Sequence, residues 1–142
     1  MQVTRQADYA IRAVLHLSLL GEGGRATTAQ IAAAQSIPAH FLAKIVALLS
    51  QAGILRTTRG AQGGVALGRR PHDISLLQVV EAVEGPIAVN RCVLGPESCP
   101  EATVCRLRPA WQAAQSALTE SLSGARFDQW MAGADPAGPP GE

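Results

Sequence analysis

The chain has 142 residues, of which 47% are hydrophobic but only 4% aromatic, and a formal net charge of +1. That length suits one domain with a genuine core and room for an element devoted to association, and the wealth of Ala, Leu, Val and Ile favours helices. The apolar run from Tyr9 to Leu20 is broken by Arg12 and His16, is too short to cross a bilayer and has no cleavage site after it, so a cytoplasmic protein with no membrane partner and with reduced thiols is expected.

The small net charge hides an asymmetry. Residues 1–72 carry eight Arg/Lys against Asp8 and Glu22, a net +6, whereas the remainder carries four Arg against nine acids, a net −5. One half is suited to a polyanion and the other is not.

In chain order, the first segment (Thr4 to about Leu20) has Ala10, Val14 and Leu17 on one stripe and Ile11, Leu15 and Leu19 on another. This predicts a helix buried on two faces or shared between subunits. "GEGG" ends it. "TTAQIAAAQSIPAHFLAKIVALLSQAGIL" then predicts two helices and a tight turn: Thr27 or Thr28 caps the first, Ser36 and Ile37 make the turn, Pro38 sits in the first turn of the second, and Gly53 stops it. Phe41, Ile45 and Leu49 form one row of the second helix, Leu42 and Val46 the next.

Two short β-type runs follow, Ile54 to Thr58 and Val65 to Leu67, around a loop with Gly60, Gly63 and Gly64 and with Arg59 at its tip. Helix, turn, helix and basic hairpin is the order of a winged helix-turn-helix. An αα-hairpin followed by an ordinary β-hairpin has the same outline, but the basic half and the arginine at the tip favour double-stranded DNA as the partner.

"ISLLQVVEAVEG" predicts another helix. Ser75 and Gln78 form a capping box, Leu76, Val79, Val80 and Val83 make one buried stripe, and Gly85 ends it. From about Pro109, Leu107, Trp111, Ala114, Leu118 and Leu122 form a near-heptad seam that suits a dimerisation helix, or an amphipathic helix packed on its own subunit. The last ten residues, "GADPAGPPGE", have too little apolar content to fold. The predicted fold is therefore mainly α with a small β-hairpin wing, a winged helix-turn-helix plus a long C-terminal dimerisation helix. Its predicted parts are 1–84 for DNA, 85–107 a cysteine loop, 108–132 the dimerisation helix and C-terminal segment, and 133–142 a disordered tail.

All three cysteines, Cys92, Cys99 and Cys105, lie in "NRCVLGPESCPEATVCRLRPAW", with six and then five residues between them. An odd number in a reducing compartment argues against a disulfide framework. The histidines lie in or beside the DNA-binding half, so no nucleophile–base pair is seen and no loop cradles a phosphate; an enzyme is not expected. Structural zinc favours cysteines two to four residues apart. Three thiolates on a long loop suit an iron–sulfur cluster, with zinc and a bare thiol sensor as alternatives.

"TRQADYAIRAVLHL", the turn "SIPAHFLAKIVALLSQAGIL", the wing "RGAQGGVALG", the helix "ISLLQVVEAVEG" and three cysteines ahead of a long helix occur in one order from Met1 to about Leu122. In this the chain resembles the Rrf-two family of winged-helix transcription regulators. The resemblance implies a homodimer on a palindromic operator and an iron–sulfur cluster on the three cysteines that governs DNA binding, 4Fe–4S favoured and 2Fe–2S possible. IscR-like members have a histidine three residues after the last cysteine, where this chain has Arg108. NsrR-like members have "DYA" or "DYG" near the start, as in Asp8-Tyr9-Ala10 here, and their aspartate can ligate the cluster held by the other subunit. The resemblance thus implies Cys92, Cys99, Cys105 and Asp8 as ligands and nitric oxide as the signal; iron–sulfur supply, iron or redox state is the alternative. From the residues alone, Asp8 is an acid favoured by the helix dipole.

For DNA, Ser36, Ala39, His40 and Lys44 are the non-core positions near the start of the second motif helix, and Thr28 opens the first. Arg59 matches the family's minor-groove wing arginine, and Arg56 and Arg69 are expected at phosphates.

Overall fold

The computed structural model describes residues 3–61, 63–95 and 105–131. Cys99, expected as a ligand, and the tail 133–142 lie outside them. Among the described residues there are five helices and one three-stranded antiparallel sheet, in the order α1 (Arg5–Leu19), β1 (Arg25–Ala26), α2 (Thr28–Gln35), α3 (Ala39–Gln51), β2 (Leu55–Thr58), β3 (Gly64–Leu67), α4 (Leu76–Glu84) and α5 (Arg108–Gly124). Short 3₁₀ turns lie at Pro71–Asp73, Arg91–Leu94 and Phe127–Trp130.

Three helix starts are capped by side chains: Thr4 caps α1 by accepting from the Ala7 N–H, and Thr27 with Gln30 and Ser75 with Gln78 form capping boxes at α2 and α4. The other two start at prolines, Pro38 preceding α3 and Pro109 in the first turn of α5, without a side-chain cap. The α2–α3 pair bends through 118°, the geometry of a helix-turn-helix. At the bend Ser36 is left-handed, φ 55°, with its N–H on the Ala32 carbonyl. No single helix among the described residues is long and apolar enough to cross a membrane.

The core joins Ala10, Val14 and Leu17 of α1, Ile31 of α2, Leu42, Ile45 and Leu49 of α3, Leu55 and Val65 of the sheet, and Val79 of α4. Of the two stripes expected on α1, one is fully buried. The other is graded: Ile11 and Leu15 are half-buried and Leu19 is exposed. Phe41 also departs from its row: it is 44% exposed, its ring against His40 at 4.5 Å and Tyr9 at 6.2 Å.

Two features go beyond the sequence expectations. The two-residue strand β1 adds to the hairpin, giving sheet order β1-β3-β2. After α5 the chain returns to the first unit: Phe127 is 0% exposed in the main core. Its N–H donates to the Ile74 carbonyl at 3.1 Å, while the Leu76 N–H donates to the Ala125 carbonyl at 2.9 Å. The end of the expected dimerisation segment therefore completes the winged-helix core.

Candidate DNA-reading surface and cysteine loop

The reading surface begins at the tight turn. Because the left-handed Ser36 turns the chain, the first residues of α3 stand clear of the core, and Ser36, Ala39, His40 and Lys44 are all exposed. Opposite them on α3, Leu42, Ile45, Val46 and Leu49 are buried. Thr28, in the first turn of α2, is exposed as well.

The wing pairs Leu55 with Leu67, Arg56 with Ala66, Thr57 with Val65 and Thr58 with Gly64, leaving Arg59 exposed at the tip. Gly63 is required there, since a Cβ would collide with the Thr58 carbonyl. Arg56 lies on the outer face of the sheet. Arg69 is anchored locally, its Nη2 donating to the Ala52 carbonyl at 2.9 Å. That contact places a cation at the C-terminus of α3, where the helix dipole favours one. Its remaining N–H groups make no other hydrogen bond among the described residues.

Beside α5, the 3₁₀ turn Arg91–Leu94 holds Cys92, with the Asn90 side chain accepting from the Arg91 N–H at 2.8 Å. Cys92 is buried and Cys105 half-buried, and both are free thiols. Soft sulfur donors on either side of segment 96–104 fit an iron–sulfur cluster in donor chemistry. Beside Cys105, the Arg108 Nε is buried with no hydrogen-bond partner among the described residues. It is a donor suited to the negative charge that thiolate ligation brings.

Asp8 is not gathered with these thiols: among the described residues no three His, Cys, Asp or Glu side chains form a metal-holding group. It sits in the first turn of α1, half exposed, with its carboxylate 3.0 Å from the Arg12 guanidinium. The turn that carries it is tied to α4, because the Thr4 hydroxyl donates to the Glu84 carboxylate.

The α5 helix links the two regions. Its Gln115 amide has a part that sequence reasoning missed: Nε2 donates to the Ile87 carbonyl at 2.7 Å and Oε1 accepts from the Val89 N–H at 2.9 Å, fixing the strand of chain that leads to Cys92. Gln115, like Gln112 among Ala and Ser, reads as surface, and nothing in the sequence around it signals the clamp. The apolar seam is divided. Leu118 and Leu122 lean on Ala7, Val80 and Ile87, whereas Leu107 is 63% exposed and Trp111 36% exposed.

A family model described as "Rrf2: Iron-dependent Transcriptional regulator" matches residues 3–133. The chain is 38% identical over 130 residues to the HTH-type transcriptional regulator NsrR of Geobacillus kaustophilus, covering 86% of this chain and 84% of that protein. It is 29% identical over 131 residues to IscR of Aliivibrio salmonicida, covering 92% and 77%. Among solved structures, CymR, the global cysteine regulator of B. subtilis, superposes with a TM-score of 0.76 at 23% identity over 96% of this chain and 98% of that one. T. potens IscR does so with 0.72 at 23% identity over 90% and 84%. The winged-helix order, the exposed start of α3 and these matches agree: the chain belongs to the Rrf2 family of DNA-binding transcriptional regulators and is not an enzyme.

Proposed function

We propose that the protein is a homodimeric, cytoplasmic repressor that binds a palindromic operator under control of an iron–sulfur cluster sensing nitric oxide. In this reading residues 1–84 read DNA, 85–107 hold the cluster and the open half of the α5 seam pairs subunits. Cys92, Cys99 and Cys105 are the cluster ligands of one subunit and Asp8 of the partner subunit supplies the fourth. Thr28, Ser36, Ala39, His40 and Lys44 meet base edges and phosphates, Arg59 enters the minor groove, and Arg56 and Arg69 neutralise phosphates.

The observation that carries the reading is the path of α5. Its start adjoins Cys105 and its Gln115 fixes the approach to Cys92, while the segment after it is built into the winged-helix core by Phe127. A change at the thiols has a mechanical route to the DNA-reading helices. When bound, the cluster would supply a labile iron open to nitric oxide; a hard carboxylate among soft thiolates makes one corner weaker than the rest. The Asp8-Tyr9-Ala10 stretch, in which the chain resembles NsrR-like members, is what supports nitric oxide as the signal.

The test is anaerobic purification followed by titration with nitric oxide. A brown protein whose visible absorbance bleaches, with operator affinity changing in step, is the expected result. A colourless protein holding zinc would overturn it. The family's description as iron-dependent favours a second reading, a sensor of iron–sulfur supply, iron or redox state. A cluster inert to nitric oxide but lost on iron starvation would select it.

A further inference from the structure

Phe41 lies in the first turn of α3, where the helix presents its DNA-reading positions. The row that it shares with Ile45 and Leu49 would bury it, yet it is exposed while those two are fully buried. Its backbone is fixed at the turn, the N–H donating to the Pro38 carbonyl at 3.1 Å. Two neighbours hold its ring. Tyr9 of α1, half-buried and packed against the main core, stands 6.2 Å away at an interplanar angle of 55°, and His40 stands 4.5 Å away at 35°. Both distances are those of favourable aromatic pairs.

The contact with His40 is not a product of helical spacing. Consecutive residues of an α-helix project about 100° apart and do not face each other. The imidazole therefore leans across the helix surface to lie against the Phe41 ring. His40 makes no hydrogen bond or ion pair among the described residues. Both of its ring nitrogens are thus without a protein partner there, while the ring itself is restrained by Phe41.

We propose that Phe41, backed by Tyr9, is a positioning residue for operator recognition, its ring holding the His40 imidazole so that one N–H meets a purine N7 in the major groove. A neutral imidazole carries one N–H donor, and N7 is the major-groove acceptor that guanine and adenine share. A side chain already held in one orientation loses less freedom on binding, so Phe41 raises affinity without touching DNA. Because it acts through His40, its effect is confined to the base that His40 meets. The inference rests on the base-reading role proposed for His40 and does not depend on the cluster.

The test uses the full-length protein, in whichever cluster state binds DNA, and an operator duplex that it selects from a random-sequence pool. Each purine of the duplex is replaced in turn by its 7-deaza analogue, which removes N7 alone. Affinities are compared for the unsubstituted protein, His40→Ala, Phe41→Tyr, which keeps the ring, and Phe41→Leu and Phe41→Met, which keep only an apolar side chain against Tyr9; thermal melts establish folding. The unsubstituted protein should lose about threefold to tenfold at one purine position, and His40→Ala should be indifferent to that replacement. Phe41→Leu and Phe41→Met should bind the unmodified duplex about threefold to tenfold more weakly and lose most of their sensitivity at the same purine, while Phe41→Tyr keeps both. Full sensitivity in Phe41→Leu and Phe41→Met, or its loss in Phe41→Tyr, overturns the positioning role and leaves the reading by His40 intact. An unsubstituted protein indifferent to every replacement, or a His40→Ala form with an unchanged pattern, overturns the reading by His40 and the role of Phe41 with it.

Discussion

Phe127 and Ile74 are joined twice, by a backbone hydrogen bond of 3.1 Å and by their common place in the core. This joint fastens the chain beyond α5 to the helix-turn-helix unit, and Trp130 packs edge-on against the same ring at 5.3 Å. Replacing Phe127 by Ala leaves a cavity and removes a full ring, so it should lower unfolding free energy by about 3–5 kcal/mol. Chemical denaturation checks this. A loss below about 1 kcal/mol would show that the segment is peripheral.

Gln115 answers a different need. Its amide satisfies one backbone acceptor and one backbone donor in the stretch before Cys92, and these groups are part-buried. Gln115→Ala should cost about 1–3 kcal/mol because Ile87 and Val89 lose their partners. Amide exchange should accelerate at Val89 well beyond any change at the core of α3. Uniform acceleration across the chain would mean that Gln115 supports global rather than local structure.

These two residues also mark where sequence reasoning stops. The Ser75–Gln78 capping box, a threonine cap at Thr27 or Thr28, the tight turn and the wing were legible because each is set by neighbours within a few residues; which threonine caps, and its reciprocal bond with Gln30, came from the fold. Phe127 lies in a short aromatic stretch with no period, and its burial depends on a partner more than fifty residues away in sequence. β1 is too short to show alternation, so Arg25 could be counted as charge but not assigned to a sheet face. The thiols were visible as a set, whereas the role of Asp8 came from resemblance; in the fold that carboxylate is paired with Arg12, as its i,i+4 spacing alone would produce.

Ser36 holds a left-handed backbone, φ 55°, at the bend of the helix-turn-helix, which costs a non-glycine residue roughly 1 kcal/mol. Ser36→Gly should therefore keep or raise stability while removing the hydroxyl proposed to contact DNA. A higher melting temperature with weaker operator binding is the expected pair of results. Unchanged operator affinity would confine Ser36 to making the turn.

Arg59 stands exposed at the wing tip, and Arg59→Ala should weaken operator binding without affecting the melting temperature. If the side chain displaces counterions from a phosphate, the slope of log K against log salt should become shallower by about 0.9. If it reads the minor groove without such displacement, affinity falls at constant slope. Equal affinity for the two proteins at every salt concentration would remove the wing from the interface.

Asp8 can be assigned to its own or its partner's thiols by crossing two defects in one dimer. An Asp8→Ala subunit retains its cysteines; a subunit with Cys92→Ala, Cys99→Ala and Cys105→Ala retains Asp8. If the carboxylate serves the partner, the mixed dimer has one complete ligand set: the cysteines of the first subunit and Asp8 of the second. It should then hold a single cluster with the spectrum and chelator resistance of the unsubstituted protein, while the Asp8→Ala homodimer loses its clusters faster. A mixed dimer that decays like the Asp8→Ala homodimer would place the ligand within one subunit. If the Asp8→Ala homodimer instead matches the unsubstituted protein in spectrum and decay, the carboxylate is no ligand, and its pairing with Arg12 at the start of α1 is its whole contribution.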